Sequence, residues 1–258
     1  MRKTTLLLIV LFLSAVMISA AGEKVVTQAS TVNAVLKGMY DGTITFGDLK
    51  KYGDFGIGYF DKMGGEAMAL DGVFYKIKSD GLTEVIKDSD KTPFFTITNF
   101  VSDTDNFTNR KFDIKGLKDY LLSMMPRKKS FYAVKISGIF VNLLARTFLS
   151  QAKPYPDIDQ VIETQTEAKF TNTEGILIGF YTPEYLEGIA IPGFHFHYLS
   201  KDKTRGGHVI SLNVNSITIE FFEISRFQIL IPDNSDYQGA NLGITKSVRK
   251  DLQKFEKQ

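Results

Sequence analysis

Apolar residues recur along the chain in short runs, and the spacing within each run predicts a strand or a short helix. Helical spacing occurs in the segments 31–39, 46–52, 116–125, 157–165 and 245–255. Alternating or continuous runs rich in Ile, Val, Phe and Tyr predict strands at 68–70, 73–77, 92–100, 131–136, 139–146, 176–181, 194–199, 208–214, 217–224 and 227–231. The pattern predicts an α+β fold (mixed α/β) with short helices on two packed β-rich subdomains, at about 22–153 and 154–258.

Two dipeptides predict turns between these strands. Asp71-Gly72 lies between two apolar runs and is the strongest short hairpin signal in the sequence. Ser137-Gly138 also has the residue types of a turn, and it predicts a break between the runs on either side. Consecutive strands joined in this way pair antiparallel.

The N-terminus has the three parts of a secretory signal peptide. Arg2 and Lys3 give a positive start, residues 6–15 are almost continuously apolar, and Ser19 and Ala21 are small residues at the positions that define a cleavage site. We therefore expect residues 1–21 to be removed, with a secreted or periplasmic mature protein. An uncleaved anchor is the alternative, and no later segment is apolar over the roughly 18 residues that a membrane span needs.

Charge and cysteine content exclude several classes of function. The formal net charge of +2 equals the charge of Arg2 and Lys3, so the mature chain is formally neutral and nucleic acid is not an expected partner. The chain contains no cysteine, which excludes thiol catalysis and thiolate metal sites. Its 43% hydrophobic content is enough for a core without disulfides in a chain of this length.

All three histidines of the chain lie in one short segment, as His195, His197 and His208. Side chains on a strand alternate between faces, so His195 and His197 point one way and the aromatic residues beside them point the other. The polar stretch 201–207 ends in two glycines and predicts a hairpin loop that returns His208 beside the pair. Three imidazoles on one face, with a fourth position open, are typical of a catalytic zinc site.

Other interpretations of the histidines stay open at this level. They could be ordinary polar residues on a solvated sheet face, and three imidazoles also suit copper, nickel or iron. A cupin-like site would need a glutamate ligand soon after the His-x-His pair, and none of the residues 198–201 is a glutamate. The concentration of every histidine at converging positions favours a metal site, with Zn²⁺ as the expected ion.

Five segments resemble bacterial α-acetolactate decarboxylases and occur in the order found in that family. They are GDFGIGYFDKMGGEAMALDGVFYKIKSDG (53–81), TPFFTIT (92–98), FYAVKISGIF (131–140), ARTFLSQAKPYP (145–156) and TPEYLEGIAIPGFHFHYLSKDKTRGGHV (182–209). The resemblance implies a two-part α/β fold, zinc bound by the three histidines, and conversion of 2-acetolactate to acetoin and CO₂ without an organic cofactor. The resemblance also predicts that the protein forms a homodimer.

The resemblance further implies catalytic residues around the metal. The family's active-site arginine falls on Arg146 in ARTFLSQAKPYP, one glutamate on Glu66 in GGEAMALDG, and a second on Glu256 in KFEKQ. Loss of CO₂ from a β-keto acid leaves an enediolate, which a zinc ion would stabilise as a Lewis acid. Arg146 offers a planar fork for a carboxylate, and a carboxyl group with a raised pKa would protonate the enediolate. From position alone, Arg146 and Glu256 would be interpreted as surface ion-pair members.

Two positions depart from the family pattern. Tyr59 stands where the family usually carries a small hydroxyl residue, so either the substrate pocket is narrower or the side chain turns away; we expect Tyr59 to bind substrate. Ala67 stands where the family carries leucine, which changes the shape of the pocket wall beside Glu66. Two rival functions stay open: a secreted metal-binding protein without catalysis, and a zinc hydrolase with Glu66 as general base, although the chain has no HExxH motif.

Overall fold

The computed structural model describes residues 24–257, apart from the side chains at positions 247, 248, 253, 256 and 257. The expected signal peptide at 1–21 and the cleavage after Ala21 lie outside the described residues, so both stay predictions. Within the described part, no helix combines the length and the apolar character that crossing a membrane requires.

The described chain is dominated by strands. In chain order they are β1 (Val25–Ala29), β2 (Ile44–Thr45), β3 (Phe55–Tyr59), β4 (Glu66–Leu70), β5 (Val73–Ile77), β6 (Thr83–Val85), β7 (Lys91–Thr92), β8 (Phe95–Thr98), β9 (Thr104–Thr108), β10 (Phe112–Asp113), β11 (Phe131–Thr147), β12 (Thr166–Thr182), β13 (Gly193–Ser200), β14 (Gly206–Ile224) and β15 (Arg226–Leu230). The helices are α1 (Val32–Leu36), α2 (Phe46–Leu49), α3 (Ile114–Met124), α4 (Ile158–Glu163), α5 (Ser235–Gly239) and α6 (Lys246–Lys257). Mixed sheets with short helices confirm the predicted fold class at this level.

Most strands belong to two sheets. The first has the order β15–β1–β8–β3–β4–β5–β6 and is antiparallel except for the pair β1–β15. The second contains β9 to β14. β11 precedes residue 154 yet lies in the second sheet, whereas β15 returns to the first, so neither sheet is a single stretch of sequence. The division into two parts near residue 154 stays a prediction.

Four strands of the second sheet form a closed ring. β11 pairs with both β12 and β14, and β12 pairs with β13. Only three residue pairs between β13 and β14, at 197–208, 198–207 and 199–206, close the circle. One apolar cluster contains side chains from all four strands and from α3. A second cluster joins Ile57 and Met68 of the first sheet to Ile178 and Phe180 of the ring. The two sheets therefore pack face to face across an apolar layer.

The predicted hairpin at Asp71-Gly72 is confirmed, whereas the predicted turn at Ser137-Gly138 is wrong. Asp71 and Gly72 have φ of 52° and 77° and connect β4 to β5, as a tight hairpin turn requires. Gly138 instead lies in the middle of β11. A Cβ at this position would lie 2.5 Å from the carbonyl oxygen of Ser216 on β14, so the glycine permits a close approach of two strands and does not end one.

Candidate metal centre and active site

The structure brings the three histidines together where β13 and β14 close the ring. His197 pairs directly with His208, and His195 lies two residues before His197 on the same face. Nε2 of His195 lies 2.9 Å from Nδ1 of His208, and one nitrogen from each ring lies within 4.8 Å of the others. All three residues are at most 5% exposed. The histidines therefore do not lie on a solvated sheet face.

The alternation predicted for β13 places the imidazoles on the face toward the first sheet. Phe196 and Tyr198 belong to the apolar cluster of the ring. On β12, the residues paired with His195 and His197 are Phe180 and Ile178, which belong to the cluster between the two sheets. Groups from both sheets can therefore meet at the histidines.

The imidazoles have the protonation state that a metal ion needs. Burial is the largest cause in each case, and the charge of Arg146 acts in the same direction: the pKa of His197 falls to about 3, and the pKa values of His195 and His208 lie well below 6.5. All three rings are therefore neutral at physiological pH and can donate a lone pair to a metal.

The nitrogens of His195 and His208 have a spacing close to that of two ligands of one metal ion, and the nitrogen of His197 lies within 4.8 Å of them. Two nitrogens bound to one tetrahedral zinc at about 2.0–2.1 Å lie roughly 3.3 Å apart, close to the 2.9 Å between the nitrogens of His195 and His208. Three protein ligands leave one position open, as catalytic zinc sites do. The same donors suit copper, nickel or iron, so the geometry supports a metal ion without selecting zinc.

We expect the metal-free protein to lose stability as the pH falls below the ordinary pKa of histidine. The unfolded chain takes up protons on its imidazoles near pH 6.5, whereas the folded chain keeps them neutral until the lowered pKa values are reached. Because the unfolded state then binds more protons, each histidine lowers the free energy of unfolding by about 1.4 kcal/mol per pH unit in that range. Urea unfolding of the metal-free protein between about pH 6.5 and pH 5 measures this slope. The His197→Gln variant should have a shallower slope, and equal slopes would contradict the assigned protonation states.

Arg146 provides a buried positive charge beside the histidines. It lies on β11 directly opposite His208 and is 1% exposed. Its Nη1 donates to Oε1 of Gln165 at 3.2 Å, and its Nη2 donates to the backbone carbonyl of Phe255 in α6. Cζ lies 4.8 Å and 5.3 Å from the ring centroids of Phe148 and Phe255. The interpretation of Arg146 as a surface ion-pair member is therefore wrong.

Glu66 reaches the histidines from the first sheet. It begins β4, is fully buried, and its Oε2 lies 3.4 Å from Nε2 of His197. Because burial holds the pKa of His197 at about 3, this contact joins a carboxyl group to a neutral ring at physiological pH and is not an ion pair. The chain thus has an acid–base group next to the candidate metal ligands.

Tyr59 lies on β3 directly opposite Glu66 and is fully buried. Its ring centroid lies 6.1 Å, 6.4 Å and 5.5 Å from those of Phe94, Phe148 and Phe255. The last two rings also lie beside the guanidinium of Arg146. Tyr59 and Arg146 therefore contact the same two aromatic rings, and Tyr59 does not turn away to the surface.

The C-terminal helix α6 packs onto Tyr59 and Phe148 through Phe255. Phe255 is fully buried. The neighbouring Lys254 contacts α4, where its Nζ lies 2.7 Å from Oδ2 of Asp159. Glu256 follows Phe255 in the helix, but its side chain is outside the described part of the chain, so its catalytic role stays a prediction. The helix does fold back over the site, which such a role requires.

Sequence reasoning missed the residues that hold Arg146 in place. Phe148 stands two residues after Arg146 within the quoted segment ARTFLSQAKPYP, so its position carried a signal. Gln165 and Phe255 carried none, because their contacts depend on how β12 and α6 return to the end of β11. A small cavity beside His195 was also not predicted; its lining is mainly apolar and includes Ile57 and Ile191.

Comparison with known proteins adds an independent finding. Residues 26–244 match the family model described as alpha-acetolactate decarboxylase. The chain belongs to this family. A relative named alpha-acetolactate decarboxylase from Methanosarcina mazei is 38% identical over 240 residues, which cover 93% of this chain and 83% of the relative. One of the same name from Brevibacillus brevis is 37% identical over 228 residues, with 88% and 80% covered.

A solved structure shows the same fold. The chain is similar to alpha-acetolactate decarboxylase from Bacillus subtilis strain 168, with a TM-score of 0.87 and 34% identity over 90% of this chain and 99% of that chain. The resemblance of the five segments to α-acetolactate decarboxylases is therefore confirmed, and the chain is an enzyme of a carbon–carbon lyase family. The three histidines, Arg146 and Glu66 all lie within the matched residues, whereas Glu256 lies beyond them.

Proposed function

We propose that this protein decarboxylates 2-acetolactate to acetoin and CO₂ and that it depends on zinc held by His195, His197 and His208. The observation that carries the proposal is the convergence of three buried, neutral imidazoles with nitrogens within 4.8 Å of one another. Arg146 on β11 of the second sheet and Glu66 on β4 of the first sheet supply the charge and the acid–base group that this reaction requires. The names of the relatives support acetolactate as the substrate.

The bound metal would supply a Lewis acid that stabilises negative charge on the substrate oxygens as CO₂ leaves. The chain itself excludes water, because the three histidines, Arg146 and Glu66 are at most 5% exposed. In such a low-dielectric environment fixed charges and hydrogen-bond donors act more strongly than in water. Apolar side chains such as Ile57 and Ile191 line a small cavity beside His195 and would face an apolar group of the substrate.

Arg146 would bind and orient the substrate carboxylate. A guanidinium stays protonated at all physiological pH values and can donate two parallel hydrogen bonds to a carboxylate. Gln165 and the carbonyl of Phe255 each accept one hydrogen bond from it, which fixes the plane of the group. The orientation of the substrate is then fixed before the carbon–carbon bond breaks.

Glu66 would deliver the proton that replaces CO₂. Its side chain extends from the first sheet to within 3.4 Å of His197, so the proton would arrive from the first-sheet side of the substrate. Protonation from one side gives a single acetoin enantiomer. Tyr59, opposite Glu66, would narrow the space around the substrate, and Glu256 is a second candidate acid.

Two further properties belong to the same proposal. The mature protein would begin after Ala21 and act outside the cytoplasm, in the periplasm or in the medium, because residues 1–21 have the composition of a signal peptide. It would act on its small-molecule substrate as a homodimer. Mass spectrometry of the exported protein and its molar mass in solution test these two points.

Turnover tests the function directly. We expect purified zinc-loaded protein to release equal amounts of CO₂ and acetoin from racemic 2-acetolactate, above a protein-free blank that measures spontaneous loss. Removal of the metal with a chelator should abolish the excess, and added zinc should restore it. A protein that binds zinc but releases no acetoin would contradict the proposal and favour a non-catalytic metal-binding protein. Hydrolysis of ester or amide probes without acetoin would favour the zinc hydrolase.

A further inference from the structure

We infer that Thr147 is a positioning residue that holds Glu66 at a fixed distance from Arg146; this inference rests on the proposed function. The two groups that would act on the substrate belong to different sheets, Glu66 to β4 and Arg146 to β11. Their separation therefore depends on how the sheets are fastened to each other. Apolar packing between sheets is not directional and does not fix this separation by itself.

The Thr147 hydroxyl makes a directional contact between the two sheets at Glu66 itself. Its Oγ1 accepts a hydrogen bond from the backbone N–H of Glu66, at 3.4 Å, and donates one to the carbonyl oxygen of Ile77, at 3.0 Å. Glu66 and Ile77 are direct cross-strand neighbours on β4 and β5. One side chain of β11 thus holds two adjacent strands of the first sheet at the residue pair that carries the candidate acid.

The position of Thr147 next to Arg146 gives this contact its significance. Arg146 and Thr147 are consecutive, so a shift of the end of β11 moves the guanidinium and the hydroxyl together. Thr147 is 3% exposed, so water does not compete for the hydrogen bonds of its hydroxyl. Displacement of a catalytic group by about 1 Å can cost on the order of a hundredfold in rate, so a hydroxyl that sets this distance should affect kcat.

Three variants separate a positioning role from a structural one. Thr147→Val removes the hydroxyl and keeps the branched shape, whereas Thr147→Ser keeps the hydroxyl and removes the methyl group. Thr98→Val is the matched control, because Thr98 is also fully buried on a strand of the first sheet and its hydroxyl donates to the carbonyl of Val25 at 2.7 Å. All are assayed as zinc-loaded protein, with kcat expressed per bound zinc and melting temperatures measured in parallel.

We expect Thr147→Val to lower kcat for 2-acetolactate by about ten- to a hundredfold, with KM changed by less than about threefold and one zinc still bound. Thr147→Ser should keep kcat within about threefold of wild type. Thr98→Val should lower the melting temperature about as much as Thr147→Val while leaving kcat unchanged. A merely structural threonine would change the folded fraction and the melting temperature, but not kcat per bound zinc.

Two results would overturn the inference while leaving the proposed function intact. One is wild-type kcat per zinc in Thr147→Val; the other is a Thr147→Ser variant that is impaired although it retains the hydroxyl. If the valine variant fails to fold, the inference can still be overturned, because impaired kcat in the serine variant would contradict it. Failure of the proposed function has a different signature, since zinc-loaded wild type would then release no acetoin in the same assay.

Discussion

An Arg146→Lys variant is expected to bind zinc as the wild type does and to lose about a hundredfold in kcat/KM for 2-acetolactate, or about 2.7 kcal/mol of transition-state stabilisation. Lysine keeps a positive charge but cannot offer the planar pair of donors that matches a carboxylate. It would also lose at least one of the hydrogen bonds to Gln165 and to the carbonyl of Phe255. Steady-state kinetics and zinc content per chain measure the two halves of this prediction.

The matched control for this variant is Arg127→Lys. Arg127 also forms a charged contact, with Glu223 at 2.7 Å, but its side chain is 74% exposed. Exposed ion pairs contribute little, so this variant should keep wild-type kinetics. Loss of zinc from Arg146→Lys in proportion to its loss of activity would identify Arg146 as a structural support of the histidines, and its assignment to the substrate carboxylate would then be wrong.

A His197→Ala variant is expected to lose the metal and, with it, at least about a thousandfold in kcat. The remaining nitrogens of His195 and His208 are two ligands, fewer than catalytic zinc sites provide from protein. The wild-type melting temperature should rise when zinc is added to zinc-free protein, because the ion binds the folded state, and this rise should be absent from the variant. Zinc content after dialysis, kcat and melting temperature with and without zinc are the measurements.

Phe196→Leu separates metal loss from simple destabilisation. Phe196 neighbours His197 on β13, but its side chain packs in the apolar cluster of the ring. Its truncation should lower the melting temperature through lost packing while the zinc-dependent rise persists. If His197→Ala retained zinc and activity, the assignment of the three ligands would fail, and with it the zinc-dependent mechanism.

The histidine cluster could be predicted from the sequence because it depends on local geometry. Alternation along one strand determines the face of His195 and His197, and a short polar loop returns the next strand. The contacts of Arg146 could not be predicted, because Phe255 is 109 positions away in the chain. The turn predicted at Gly138 was wrong for a similar reason. A glycine permits a turn and also permits two strands to approach closely, and which of the two occurs depends on the partner strand β14.

The short pairing that closes the four-stranded ring has a consequence for how the protein opens. Each strand of the ring is hydrogen-bonded on both edges, so one strand cannot separate without breaking two pairings. The shortest pairing consists of the three residue pairs between β13 and β14, and we expect separation of the strands to begin there. His197 and His208 form one of these pairs. An ion bound to both side chains would cross-link the two strands, and without it the three backbone pairs alone would hold them together. Metal occupancy would then govern the lifetime of the folded chain as well as its chemistry.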